Sequence, residues 1–232
     1  MAEIASYARA MTNMSLTPIE RLRARVLAGK ARLAIIGGAL FIWVMDAVVS
    51  RFLIARGAYT GGNLSRVEQV EWVGTAIFLV VLIALVIAVI RGATRSMLWI
   101  AAIYLAFSVI QVMISVAAMV SSVTMRSEVG LTSLWDVGVM YLFSVTVFTF
   151  VYVLMDLITP KGAFVWPARD DEPAPTPNLF DYMFISLNVN STYGPTSEAV
   201  MSRPTKMLMS LQVILAILML TVLIARAVSA TS

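Results

Sequence analysis

The chain has 232 residues, of which 60% are hydrophobic and 13% charged, with a mean hydropathy of +0.88 and a net charge of +4. Soluble domains carry roughly 25% charged residues, and the apolar residues here gather in runs of about 20, so composition predicts an all-α membrane protein with about five transmembrane helices. The absence of Cys and His excludes disulfides, thiol nucleophiles, imidazole bases and the commonest zinc sites; no enzyme and no cofactor is expected, and the modest basicity suits membrane topology better than nucleic-acid binding.

Residues 1–32 form a basic N-terminal arm, with Arg9, Arg21, Arg23, Arg25, Lys30 and Arg32 against Glu3 and Glu20. The segment has no apolar centre, so no cleavable signal is expected. Thr17-Pro18-Ile19-Glu20 has the form of a capping box with Pro at the first helical position, predicting a helix that starts at Pro18 and feeds the first span. The arm reads either as a lipid- or partner-binding segment or as a cytoplasmic flank that fixes orientation.

Four spans are predicted across residues 33–158: Leu33–Ile54, Trp72–Ile90, Met97–Thr124 and Val137–Ile158. A Gly-rich polar loop at 57–69 and a basic turn at 91–95 separate the first three. The third span carries a stripe of small residues (Ala102, Ala106, Ser115, Ala118, Ser122) that permits close helix contact, and one strongly polar interior residue, Gln111. Two acidic residues, Asp46 and Asp156, are the expected intramembrane charges. Asp46 lies about 13 residues, or ~20 Å, into the first span, where an ionised carboxylate needs a partner. Arg51 is off the favourable spacing, which leaves Arg126 or Arg226 as candidates. Asp46 reads either as a titrating gate or proton relay, or as a residue near enough to the headgroups to stay wet.

A Pro-rich linker at 159–177 follows, with an acidic run at Asp170-Asp171-Glu172 and with Phe164 and Trp166 expected at the membrane interface. The run reads as a cation-gathering patch near a pore mouth or as a solvated loop. Residues 178–196 are apolar for only about a dozen positions before the polar break Ser191-Thr192-Tyr193-Gly194-Pro195, too short to cross a ~30 Å hydrocarbon layer. Asn178 is a helix cap and Asp181 suits the first turn; Tyr182, Phe184, Ile185, Leu187 and Val189 are expected to pack inwards. This is the outline of a re-entrant pore-type helix and loop before the last span, 207–226. The other reading is an amphipathic helix on the membrane surface, against which stands its lack of Lys and Arg. A re-entrant helix aims its negative carboxyl end, with Asn188 and Asn190, at the loop, and the carbonyls and hydroxyls of 191–195 then replace part of an ion's hydration shell. Asn188, Asn190, Ser191, Thr192, Tyr193, Gly194 and Pro195 are therefore the candidate ion path and filter, with a monovalent cation as the species bound. No metal-binding cluster is expected.

Residues 140–226 distantly resemble the span–pore helix–filter–span module of the potassium-channel superfamily. Thr192 falls on the threonine of its T-V-G-Y-G filter, Ser191 on the threonine that precedes it and Gly194 on its first glycine, while Pro195 and Thr196 replace its Tyr and second Gly. Proline lacks the glycine freedom that half of the filter uses, so the potassium-like filter is degenerate. The same half of the chain is similar to a family of bacterial inner-membrane proteins of unknown function. The matching residues are Phe148 and Tyr152, Pro167, Asp181-Tyr182, Ser202-Arg203 and the apolar run Met207 to Ala225. These resemblances imply a channel-like fold in a plasma (inner) membrane. A single loop cannot ring an ion, so a homo-oligomer, a tetramer by the resemblance, is expected. A proton-coupled small-solute transporter using Asp46 and Asp156 and a non-conducting membrane scaffold remain as alternatives.

Five spans put the N-terminus, the 91–95 turn and the 159–206 loop on one side, with twelve of the seventeen basic residues. The positive-inside rule makes that side cytoplasmic, whereas potassium-channel-like pores present this loop outwards. The N-terminus is expected inside, and the side of the loop stays open.

Overall fold

The computed structural model describes residues 17–27, 32–55, 62–123, 132–168, 174–191 and 199–229. Among them are seven helices: α1 (Pro18–Leu27), α2 (Leu33–Ala55), α3 (Gly62–Ile90), α4 (Thr94–Val123), α5 (Thr132–Ile158), α6 (Leu179–Asn190) and α7 (Arg203–Ser229). Five of them, α2 to α5 and α7, contain stretches of 22 to 28 residues long and apolar enough to cross a membrane, above the ~20 required, as in a multi-pass membrane protein.

The distribution of side chains agrees with an apolar surround. Val80, Ile83, Ile103, Leu142 and Ile224 stand exposed on the outside, while Ser144, Thr149, Asp156, Ser186, Asn190 and Gln212 are buried. Water would favour the opposite arrangement, because an apolar surface on this scale is costly there. In lipid the outside gains nothing by being polar, and polar groups are driven inwards to find one another.

Helix α5 is the most buried span and the centre of the bundle, packing against α1, α2, α4, α6 and α7. Gly38 of α2 permits its close approach: a Cβ there would lie 2.9 Å from the Phe150 ring. Helices α3 and α4 are joined by a turn in which Gly92 takes φ 66°, a left-handed conformation that residues with a Cβ avoid.

Three expectations need correction. Helix α3 begins at Gly62, so much of the predicted 57–69 loop is helical; past Gly61-Gly62 the chain meets Leu64, Arg66, Glu68, Gln69 and Glu71, all good helix formers. The small-residue stripe of α4 is only in part its packing face: Ala118 is buried and Ala102 half-buried, but Ala106 is exposed, and the buried side also runs through Tyr104, Ser108, Gln111, Val112, Val116 and Met119. Phe164 and Trp166 are buried rather than interfacial. Phe164 opens and Trp166 follows a two-residue strand, β1 (Phe164–Val165), which pairs antiparallel with β2 (Ala199–Val200) and folds the start of the linker under the bundle.

The predicted helix start at Pro18 has its capping box: the Thr17 N–H donates to Glu20 Oε2 at 2.8 Å and the Glu20 N–H to Thr17 Oγ1 at 3.3 Å. The Arg32 Nε donates to Leu27 O at 2.8 Å, capping the carboxyl end of α1; residues 28–31 lie outside the described ones. Helix α1 is tied to the far end of α5. The Arg23 Nε donates to Leu157 O and its Nη1 to Pro160 O, both at 2.9 Å, and its Nη2 donates to Thr159 O. The Arg21 Nη2 donates to Ala174 O. One end of the bundle therefore collects α1, the carboxyl end of α5, both strands and the starts of α6 and α7.

Candidate functional site

Helix α6 starts where the sequence predicts. Asn178 Oδ1 accepts from the Phe180 N–H at 2.8 Å and the Asp181 N–H at 3.3 Å, and Asp181 Oδ2 accepts from the Asn178 N–H at 2.7 Å. The helix is 12 residues, about 18 Å long, and ends at Asn190. Tyr182, Ile185, Ser186 and Val189 fall on one face at helical spacing and are buried against the bundle. Phe184, expected to pack inwards, lies on the opposite face with Phe180 and is half exposed.

The first turn of α6 is clamped to Asp156, the buried carboxylate at the end of α5. Asp156 Oδ1 accepts from the Ala163 N–H at 2.6 Å and the Phe164 N–H at 3.2 Å, and Oδ2 from the Trp166 Nε1–H at 3.3 Å and the Tyr182 hydroxyl at 2.6 Å. Four donors occupy its acceptor sites, which is how a carboxylate can be fully buried. Gly162, with φ 83°, makes the turn possible: a Cβ there would lie 3.0 Å from Asp156 Oδ1. Around the carboxylate, Trp166 and Tyr182 pack edge to face at 5.3 Å, and Phe164 stands edge-on to Tyr152 and Tyr182. Burial, together with the Asp156 carboxylate, pushes the Tyr182 phenol well above its usual value, so it remains a donor. Asp156 is a structural clamp.

Deeper in the bundle a second polar cluster joins α5, α6 and α7. Gln212 Nε2 lies 3.0 Å from Ser186 O, 3.0 Å from Ser186 Oγ and 3.4 Å from Asn190 Oδ1, while its Oε1 accepts from the Tyr152 hydroxyl. Ser186 Oγ donates to Val145 O at 2.9 Å. At the end of α6, the Ser191 hydroxyl meets the Tyr141 hydroxyl at 3.0 Å. Beside them lies a cavity of about 300 Å³ between α5 and α7, whose polar lining is Tyr141, Asn190 and Ser191. The Nδ2 atoms of Asn188 and Asn190 are buried and have no hydrogen-bond partner among the described residues, an arrangement that costs free energy unless something polar adjoins it. Thr192, Tyr193, Gly194 and Pro195 lie outside the described residues.

Among the described residues, the Asp46 partner is a glutamine. Asp46 Oδ2 accepts from Gln111 Nε2 at 2.8 Å, linking α2 to α4. Arg226 instead lies 3.7 Å from Asp136 Oδ2, and both side chains are 2% exposed; this pair fastens the end of α7 to the start of α5. Arg126 lies outside the described residues. The described residues contain no group of three acidic side chains close enough to hold a metal.

Gln212 and Ser186 carry the inner cluster and were not singled out from sequence. The available signal was a lone glutamine inside the apolar run of the last span, a position where a polar side chain demands a partner. No protein-family model, curated protein or solved structure gives a significant match to the chain.

Proposed function

We propose that this chain is one subunit of a channel-like integral membrane protein: an oligomeric, cation-conducting pore in which α6 and residues 191–198 form a re-entrant hairpin. The observation that carries this reading is the path of the chain. Helix α6 starts beside Asp156 and ends beside Tyr141, well inside α5, and by Ala199 the chain is again paired with Val165, at the end where α6 began. The eight steps from Ser191 to Ala199 reach at most ~28 Å when extended, enough to return along the ~18 Å of α6. Backbone at that depth persists only against protein or a wet cavity, and a cavity of about 300 Å³ adjoins Asn190 and Ser191. The carboxyl end of α6 directs a partial negative charge there, which favours a cation. Four copies arranged with the 191–195 loops about a common axis would complete the ion path, since one loop cannot surround an ion.

The exposed face of α6, with Phe180, Met183 and Phe184, suits contact with a neighbouring copy. The carrier reading keeps only Asp46, because Asp156 is fully engaged; the Asp46–Gln111 bond between spans is its remaining support. Purified protein in liposomes loaded with potassium or sodium tests the pore. Cation flux, reduced by Asn190→Leu in a protein that still assembles, is the expected result. A monomer by native mass spectrometry, with no flux above empty liposomes, overturns it.

A further inference from the structure

We propose that the groove between the start of α4 and the end of α5 is a binding site for an anionic phospholipid. This rests on the chain lying in a bilayer and is independent of whether it conducts. The groove has a volume of about 300 Å³ and is walled by Arg95, Leu98, Trp99 and Ala102 on α4 and by Leu157 and Ile158 on α5, with Arg23 of α1 at its end. Positions 95, 98, 99 and 102 follow helical spacing, so they form one stripe down α4. The stripe runs from a guanidinium at the mouth, through an exposed indole, to apolar residues along the span. That order matches a phospholipid read from phosphate through glycerol to acyl chain, and indoles favour the headgroup level.

Charge selects the headgroup. Arg23 uses three of its five N–H donors on the carbonyls of Leu157, Thr159 and Pro160, at and just past the end of α5, and keeps its positive charge beside the groove. Arg95 is exposed and makes no hydrogen bond or ion pair among the described residues. Arg95 also sits in the first turn of α4, where the helix end adds partial positive charge. Two guanidinium groups are well matched to phosphate oxygens, and among the described residues no acidic side chain lines the groove to receive the ammonium of a zwitterionic headgroup. A basic pocket between spans on one face of the membrane is the recognised form of an anionic-lipid site.

The test uses the full chain, exchanged into an equimolar mixture of phosphatidylglycerol and phosphatidylcholine and then stripped by detergent, with retained lipid counted by native mass spectrometry. Phosphatidylglycerol should be retained in preference, and Arg95→Gln should lower its retention about five-fold, the loss of roughly one basic contact. Arg91→Gln, a neighbouring exposed arginine outside the groove, should leave retention unchanged. Ala102→Phe fills the groove without touching either arginine and should also displace the lipid; it decides the matter if Arg95→Gln fails to fold. Equal retention of both lipids, equal losses from Arg91→Gln and Arg95→Gln, or full retention by Ala102→Phe overturns the proposal. So does complete displacement by inorganic phosphate, which would mark a soluble-anion site instead.

Discussion

Asp156 shows how a single side chain organises the end of the bundle where the hairpin starts. Its four donors come from three places: the backbone of the turn after α5, the Trp166 indole and the Tyr182 phenol. Removing one of them leaves a buried carboxylate short of a partner, so Tyr182→Phe should cost about 1.5–3 kcal/mol in an unfolding titration in detergent. A change below about 0.5 kcal/mol, the range of an inert surface substitution, would refute the clamp. The Tyr182 pKa is raised, so its contribution is fully present below the ordinary tyrosine value of about 10 and is lost only as pH climbs beyond it. The stability difference between wild type and Tyr182→Phe should therefore stay constant across neutral pH. Gly162→Ala should destabilise by about 1–3 kcal/mol, since alanine resists the left-handed backbone. At Asp46 the geometry separates two roles: Asp46→Asn can still accept from Gln111 and should keep stability within about 0.5 kcal/mol, whereas a carrier would lose its pH response in a liposome flux assay. The Thr17–Glu20 capping box and the Asn178 cap were legible in sequence because their partners are two or three positions apart. The partners of Asp156 were not, because Tyr182 comes from 26 residues further on and only the completed fold brings it back.

At the scale of elements, α6 is a short helix held at both ends and α1 is a strap across the bundle. The existence and limits of α6 could be read from Asn178, Asp181 and the polar break after Asn190. Its buried face could not, because Phe180 and Phe184 make the opposite face equally apolar and periodicity alone does not choose between them. The two-residue ladder β1–β2 left no sequence signal at all, yet it fixes where the chain returns. Gln212→Leu should leave Ser186, Asn190 and Tyr152 with buried groups unmatched and destabilise by about 2–4 kcal/mol, more than an ordinary polar-to-apolar change inside a span. Arg23→Ala removes the bonds to the carbonyls of Leu157, Thr159 and Pro160 that fasten α1 to the end of α5. Hydrogen exchange should then rise in residues 19–27 and 157–159 and stay unchanged at the Asp136–Arg226 end; uniform protection would show that the strap carries no stability.

For the whole molecule, composition alone indicated five apolar helices, and five are present among the described residues. The loop at 159–206 shares an end with the basic arm, through the bonds of Arg21 and Arg23, as the count of spans required. Sequence left open which way that end faces, and charge counting favours the cytoplasm. The native chain has no cysteine, so single cysteines can be introduced without background, and this allows the central claim to be tested directly. Cysteines placed one at a time over positions 188–196, with Ala174→Cys as a marker of the α1 end, are treated with a membrane-impermeant cationic thiol reagent while cation flux is recorded from proteoliposomes. A re-entrant pore hairpin predicts that positions near 190–195 react from the same side as position 174 and that their modification blocks flux. Labelling from the opposite side only, or modification that leaves flux untouched, would contradict it.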